Sequence, residues 1–391
     1  MPSPPSQAEP PASLASWALV APIAASFTFG VGLSLALPLL AIVLAARGVP
    51  GTWIGLNTAM AGFAAILATP LAVPLARRFG AARSFVAAIA VIAVSFVLFY
   101  VIEPFWAWFP LRLAFHGALT VMFVLSEYWI NAVVPSARRG LAMGIYGSVL
   151  SIGFAAGPAI LGLVGTAGAT PFVVGAAVLA LSALPVLLAR ASEPRIEGEG
   201  KSSILAFVFA VPIATFAAFT FGATESGAIS FLPVYGLALG YSESQSALLV
   251  SALALGNVVS QIPLGLLADR FDRRKLLFGC GLVGVLGTVA IPFASGDYWA
   301  LSAILFVWGG LVAGLYTIGL THLGARFTGL DLVSANAAFV LMYACGALIG
   351  PAAIGAGFDL WRPHGVMAVA AGFLALYAAI ALWRLLAAGR P

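Results

Sequence analysis

Five ionisable side chains stand inside stretches that are otherwise apolar: Arg112, His116, Glu127, Glu225 and His322. A charge at the bilayer centre is disfavoured by at least about 2.5–3.5 kcal/mol, so each must face protein or water. Glu225 lies in GATESGAIS, among Gly222, Ala223, Ser226, Gly227 and Ala228, with no basic residue near it in sequence. Desolvation disfavours the charged form of such a carboxylate. It could therefore take up and release a proton in the physiological range, as ion coupling requires. The structural alternative is a protonated Glu hydrogen-bonded to a neighbouring helix. Glu127 is a second candidate for proton coupling. At about 100° and 1.5 Å per residue, His116 lies about 40° from Arg112, and Glu127 about 60° away and about 22 Å further along. The three form a polar stripe rather than one site. Arg112 and His116 are candidate substrate ligands, although Arg112 and Glu127 could also reach the interface from helix ends or pair structurally. His322, with Arg326 one turn on, is either a ligand or a satisfied interfacial histidine.

The elements that must hold these groups are membrane helices. The 391-residue chain is 62% hydrophobic and only 8% charged, against roughly 25% charged in soluble domains. A span takes about 20 apolar residues. Twelve are predicted: 15–46, 53–76, 84–102, 107–134, 140–165, 171–189, 204–238, 245–268, 276–294, 299–325, 332–357 and 366–386. The first and seventh runs are long and are expected to tilt or bend. The Pro/Ser-rich residues 1–14 read as a disordered cytoplasmic N-terminus. Residues 15–190 read as one six-helix half, 191–203 as a cytoplasmic linker, and 204–391 as the second half. With both termini cytoplasmic, every Lys and Arg except Arg47, Arg112 and Arg362 falls on the cytoplasmic side. That bias sets the expected topology. It also accounts for the net charge of +5 without nucleic acid as a partner. The aromatic groups Trp106/Trp108/Phe109 and Tyr298/Trp299 are expected to form interface belts.

The halves repeat one another. LARRFGAAR at Leu75–Arg83 returns 192 residues on as LADRFDRRK at Leu267–Lys275. FTFG at Phe27–Gly30 returns at Phe219–Gly222, and GFAAGPAILG at Gly153–Gly162 returns as GALIGPAAIG at Gly346–Gly355. Duplicated six-helix units meeting at a central cleft are the usual build of a secondary transporter. LADRFDRRK, with Gly265 before it, resembles the loop signature of the major facilitator superfamily, Gly-x-Leu-Ala-Asp-Arg-x-Gly-Arg-Lys. The second copy keeps Gly265, Asp269, Arg270, Arg274 and Lys275, with Asp272 in place of the usual Gly. The first copy is degraded, with Val73, Arg77 and Ala82 at motif positions. The resemblance implies that the Asp of this loop helps latch the halves, a part only Asp269 could play here. Gly144, Gly153, Gly157 and Pro158 resemble the antiporter pattern of the same superfamily, although ordinary close helix packing also explains them, and Gly350 and Pro351 repeat it. These glycines, prolines and loop charges are the expected gating elements. SEYWIN at Ser126–Asn131, with the run that follows it, resembles the YcaD-like bacterial branch. The polar residues Asn57, Tyr146, Ser151, Asn257, Gln261, Tyr316, Thr317, Asn336 and Tyr343 sit on spans that the superfamily arranges around its cleft. Tyr146, Asn257, Gln261, Tyr316 and Asn336 join Arg112, His116 and His322 as candidate substrate ligands. Each could equally be hydrogen-bonding glue between helices.

The expected protein is therefore an all-α transporter of twelve transmembrane helices in two pseudo-symmetric six-helix halves, a monomer in the bacterial inner membrane. It would move a small organic solute by alternating access, coupled to protons. Export by antiport is favoured, with uptake of an anionic metabolite by symport as the alternative and a non-transporting receptor as a more distant one. No cofactor is expected. Cys280 and Cys345 fall inside predicted spans and suggest no disulfide framework. His116, His322 and His364 sit on separate segments, which disfavours a hydrolase or a zinc site. GEGKSS at Gly198–Ser203 lacks the leading glycine and preceding strand of a phosphate loop.

Overall fold

Backbone polar groups in hydrocarbon have no water to bond, so a chain this apolar must satisfy them within helices. The computed structural model describes residues 17–134, 139–190, 204–327 and 329–388, and no strand occurs among them. The predicted disordered N-terminus and the linker 191–203 lie outside the described residues. The helices are α1 (Trp17–Ala46), α2 (Gly51–Phe79), α3 (Ala81–Val101), α4 (Trp108–Val133), α5 (Arg139–Val164), α6 (Thr170–Leu181), α7 (Ala183–Ala189), α8 (Ile204–Ala210), α9 (Pro212–Ala238), α10 (Glu243–Arg270), α11 (Arg273–Phe293), α12 (Tyr298–Gly324), α13 (Gly329–Leu360) and α14 (Gly365–Ala388).

Two predicted spans are interrupted. The sixth breaks at Ser182 into α6 and α7. Pro185, one turn on, has no N–H to continue the helix, and the Ser182 hydroxyl donates back to Leu179 O at 2.6 Å. The seventh breaks at Val211, whose backbone is pushed out of the helical region before Pro212. Among the described residues, eleven segments are long and apolar enough to cross a membrane. The twelfth, α9, is long enough at 27 residues but more polar, carrying Thr215, Thr220, Thr224, Glu225, Ser226 and Ser230. It can be so because nearly all of it is buried against other helices, and a helix shielded from lipid need not be apolar all round.

The sequence repeat becomes a repeat of packing. In the first half α1 packs on α4 and α5, α2 on α4, and α3 on α4 and α6; in the second, α9 packs on α12 and α13, α10 on α12, and α11 on α12 and α14. The duplicated glycines allow this. A Cβ on Gly153 would strike Phe27 O of α1, and one on Gly346 would strike Phe219 O of α9.

The halves meet through α2 with α13, α5 with α10, and α1 with α9. The close contacts begin at one end of the bundle and reach the middle of α2 and α13, where Gly62 lies against Ala344 and Leu348. Gly51 and Gly55 at the start of α2 press against Gly355 and Pro351 near the end of α13. Thr166, just beyond α5, donates to the Glu243 carboxylate at the start of α10. At the other end each half closes on its own apolar cluster. One joins Leu19, Ile130, Val134, Ala142 and Tyr146; the other joins Val211, Ala214, Ala218, Leu323, Ala335 and Phe339. The structure is thus closed at the α1–α2 end. Of the predicted interface aromatics, Trp106 and Trp299 are exposed, but Trp108 is fully buried. Its Nε1 donates to Ile102 O at 2.9 Å and the Arg47 guanidinium stacks on its ring, so it fastens the helix start instead of facing lipid.

Candidate functional site

Glu225 projects from α9 half-buried, while its helical neighbours Thr224, Ser226, Gly227 and Ala228 are buried. The missing side chain of Gly222 lets the Tyr343 backbone of α13 approach α9. That approach delivers the Tyr343 hydroxyl, which donates to Glu225 Oε2 at 2.7 Å. Tyr316 of α12 meets Tyr343 edge-on, with centroids 5.9 Å apart, and also touches Phe221 and Phe339. A polar chain continues alongside. Thr317 Oγ1 donates to Gln261 Oε1 and Gln261 Nε2 to Asn257 Oδ1, each at 2.8 Å. Asn257 and Glu225 line one small recess with Phe221, Leu253 and Trp308. The ion pairs Arg273–Asp269, Arg274–Asp272 and Arg362–Asp359 all leave Glu225 aside.

The first half supplies the facing wall. Tyr146 of α5 and Ser126 of α4 share a hydroxyl hydrogen bond of 2.7 Å. Glu127, next to Ser126, is half-buried and within electrostatic reach of both Tyr146 and Tyr316. Tyr316 also feels Glu225. A carboxylate from each half thus converges on one tyrosine, an arrangement able to hold a proton and to attract a cationic or hydrogen-bonding solute.

Of the predicted residues, Glu225, Glu127, Tyr146, Asn257, Gln261 and Tyr316 come together here. Arg112 and His116 do not. They are buried beside Asn57, with Arg112 Nε donating to Asn57 Oδ1 at 2.8 Å. His322 sits at the end opposite the sealed one, near Arg326, Arg274, Arg273 and Asp272. Asn336 is exposed on α13. In the loop motif, Asp269 is largely exposed and lies 4.0 Å from Arg273 at the start of α11, while Arg270 is exposed. Asp272, where the superfamily has Gly, caps α11 by accepting from Arg274 N at 2.8 Å. Partial burial works against its charge, but the backbone N–H and charges of Arg274 and Lys275 prevail and hold the carboxyl below its usual range. Gly153, Gly157 and Pro158 lie along the α1–α5 contact, and Gly350 lies against Ala223 of α9.

Sequence reasoning missed Asp359. α2 has no side-chain cap of its own, yet its first N–H groups are satisfied. Asp359 of α13 accepts from Gly51 N at 2.8 Å, Thr52 N at 2.7 Å and Thr52 Oγ1 at 2.7 Å. The cap joins the two halves across more than 300 residues of chain, so no local pattern could have signalled it.

Two six-helix bundles that repeat one another and meet through α2 with α13, α5 with α10 and α1 with α9 have the build of a secondary transporter. The chain matches the family described as Major Facilitator Superfamily over residues 23–242 and 214–391, and it belongs to that superfamily. It is a multi-pass membrane transporter of small molecules, not an enzyme. Among its relatives, the uncharacterized MFS-type transporter YfkF of Bacillus subtilis is 26% identical over 330 residues, covering 82% of this chain and 83% of the relative. The uncharacterized MFS-type transporter YcaD of Escherichia fergusonii is 25% identical over 281 residues, covering 71% and 72%. The fold is shared with the nucleoside transporter NupG, at a TM-score of 0.76 and 16% identity over 96% of this chain and 100% of that one. It is shared too with a bacterial homologue of the human lysosomal transporter Spinster in an inward-facing, unoccupied conformation. That match has a TM-score of 0.78 and 15% identity over 95% and 96% of the chains.

Proposed function

We propose that the protein is a proton-coupled secondary transporter in which Glu225 carries the coupling proton and Glu127 assists. The observation that carries this reading is the Glu225 side chain itself: a carboxylate inside the bundle, held by the Tyr343 hydroxyl, bordering a recess and facing no cation. The cargo is a small organic molecule, amphipathic or cationic, seated between Glu127, Tyr146, Tyr316, Asn257, Gln261 and Glu225. Export by proton antiport fits the Gly144–Pro158 pattern. The Lys/Arg bias supports a bacterial inner-membrane protein with both termini cytoplasmic. In that orientation the sealed end is the outer one and the conformation is inward-facing. Gating would then fall to the α2–α13 and α5–α10 contacts outside, with the Asp269–Arg274 loop on the inner side.

The test begins with a thermal-shift screen of purified protein against metabolites and drugs, which names a binding solute. The solute is then added to proteoliposomes containing a pH-sensitive dye. Wild type should move protons with solute, whereas Glu225→Gln should bind the solute but move no protons. Coupled proton movement in Glu225→Gln at the wild-type rate would remove that residue from the role.

A further inference from the structure

Arg112 lies one turn inside the sealed end, on α4, and none of its side chain is exposed. Nε is engaged by Asn57 of α2, but Nη1 and Nη2 have no partner. The same is true of Asn57 Nδ2 and His116 Nε2, both buried. His116 has its Nδ1 3.1 Å from Arg112 O, so its other nitrogen is the one left over. The leftover atoms are donors (the guanidinium and the amide) or can act as one (the imidazole).

A guanidinium stays protonated in proteins, and a buried charge without a partner is strongly disfavoured. No carboxylate of the described residues supplies the missing charge. Burial alone dominates the surroundings of Arg112, the three ion pairs lie at other helix ends, and Asp359 is committed to α2's first turn. Glu127 on the same helix is about 22 Å away along the axis.

We propose that Arg112, Asn57 and His116 form an anion subsite between α2 and α4 that takes one small monovalent anion, a halide or a carboxylate group. The free edge of the guanidinium matches a carboxylate fork and accepts a spherical halide as well. The anion comes either from solution or from the cargo itself. The inference goes beyond the proton-coupled reading and does not depend on it. α2's first turn is pinned by Asp359, so exchange of the anion requires the sealed end to open, and occupancy is tied to the transport cycle.

The experiment uses the full-length purified protein in detergent, with the melting temperature followed as sodium chloride, bromide, acetate or benzoate is raised at constant ionic strength. Wild type should show a saturable rise with at least one salt. Arg112→Gln should abolish it, and His116→Phe, which removes one donor while keeping a planar ring, should weaken the apparent affinity 3- to 10-fold, roughly one hydrogen bond's worth. His116→Phe keeps the test decisive if Arg112→Gln does not fold. Saturation by chloride and bromide identifies a solution anion. Saturation by carboxylates alone identifies a group on the cargo. No saturable effect in wild type, or the same effect in wild type and both variants, overturns the proposal.

Discussion

Asp359→Ala should unfasten the sealed end. The carboxylate accepts three hydrogen bonds from α2, at 2.8, 2.7 and 2.7 Å, and stands in for the N-cap that α2 lacks. Removing an N-cap acceptor costs about 0.5–2 kcal/mol. Hydrogen bonds to a charged group can exceed this, but the Asp359 side chain is 24% exposed and shares its charge with Arg362, so about 1–2 kcal/mol is the appropriate range. All three contacts join α2 to α13 and exist only while that end is shut. Their loss therefore acts on the conformational equilibrium. A shift of 1–2 kcal/mol is about 5- to 30-fold. A population closed about 99:1 would fall to about 95% or even 77% closed. Spin labels at Val101 and Phe293, exposed at this end of α3 and α11, report the separation of the halves by pulsed electron resonance in a background without Cys280 and Cys345. The long-distance population should grow in Asp359→Ala and by a smaller amount in Asp359→Asn, which keeps one acceptor oxygen. If the distances stay unchanged while the melting temperature falls, the cap stabilises the fold in both states and the gating argument is refuted.

Other substitutions separate gate contacts from packing contacts. Gly55→Ala places a methyl against the Pro351 carbonyl of the opposite half. Overpacking of about 1–3 kcal/mol should widen the Val101–Phe293 distance. Gly153→Ala collides with Phe27 O inside one half, so the melting temperature should drop with no change in that distance. Asp272→Asn tests the α11 cap. The Asp272 pKa is held below its ordinary value, so its contribution is complete above the unfolded pKa near 4 and is lost as pH falls through the lower folded value. The variant should therefore show a flatter decline in unfolding midpoint below about pH 4 than wild type; an identical acid limb would argue that the charge plays no part.

Much of the architecture is legible residue by residue. Hydrocarbon forces each span to satisfy its own backbone, so the span limits follow from composition and loop chemistry, whereas the breaks at Ser182 and Val211 emerge only from the structure. The repeats of FTFG, GFAAGPAILG and LARRFGAAR lay out the pairing of α1 with α5 and α9 with α13, because glycines at helical spacing permit only close contact. Glu225 stands out because a charge in an apolar run must be answered by something. What answers it is Tyr343, more than 100 residues away, and its identity depends on how closely Gly222 lets two helices approach. For the same reason the tertiary structure alone seats Arg112 against Asn57, buries Trp108 behind Arg47, allows α9 to be polar, and assigns Asp359 to the first turn of α2. The local sequence determines which groups cannot be left unsatisfied in a membrane. Only the packing of helices distant in the chain decides which partner satisfies each, because hydrogen bonds and charges act over a few ångströms of space and not over positions in sequence.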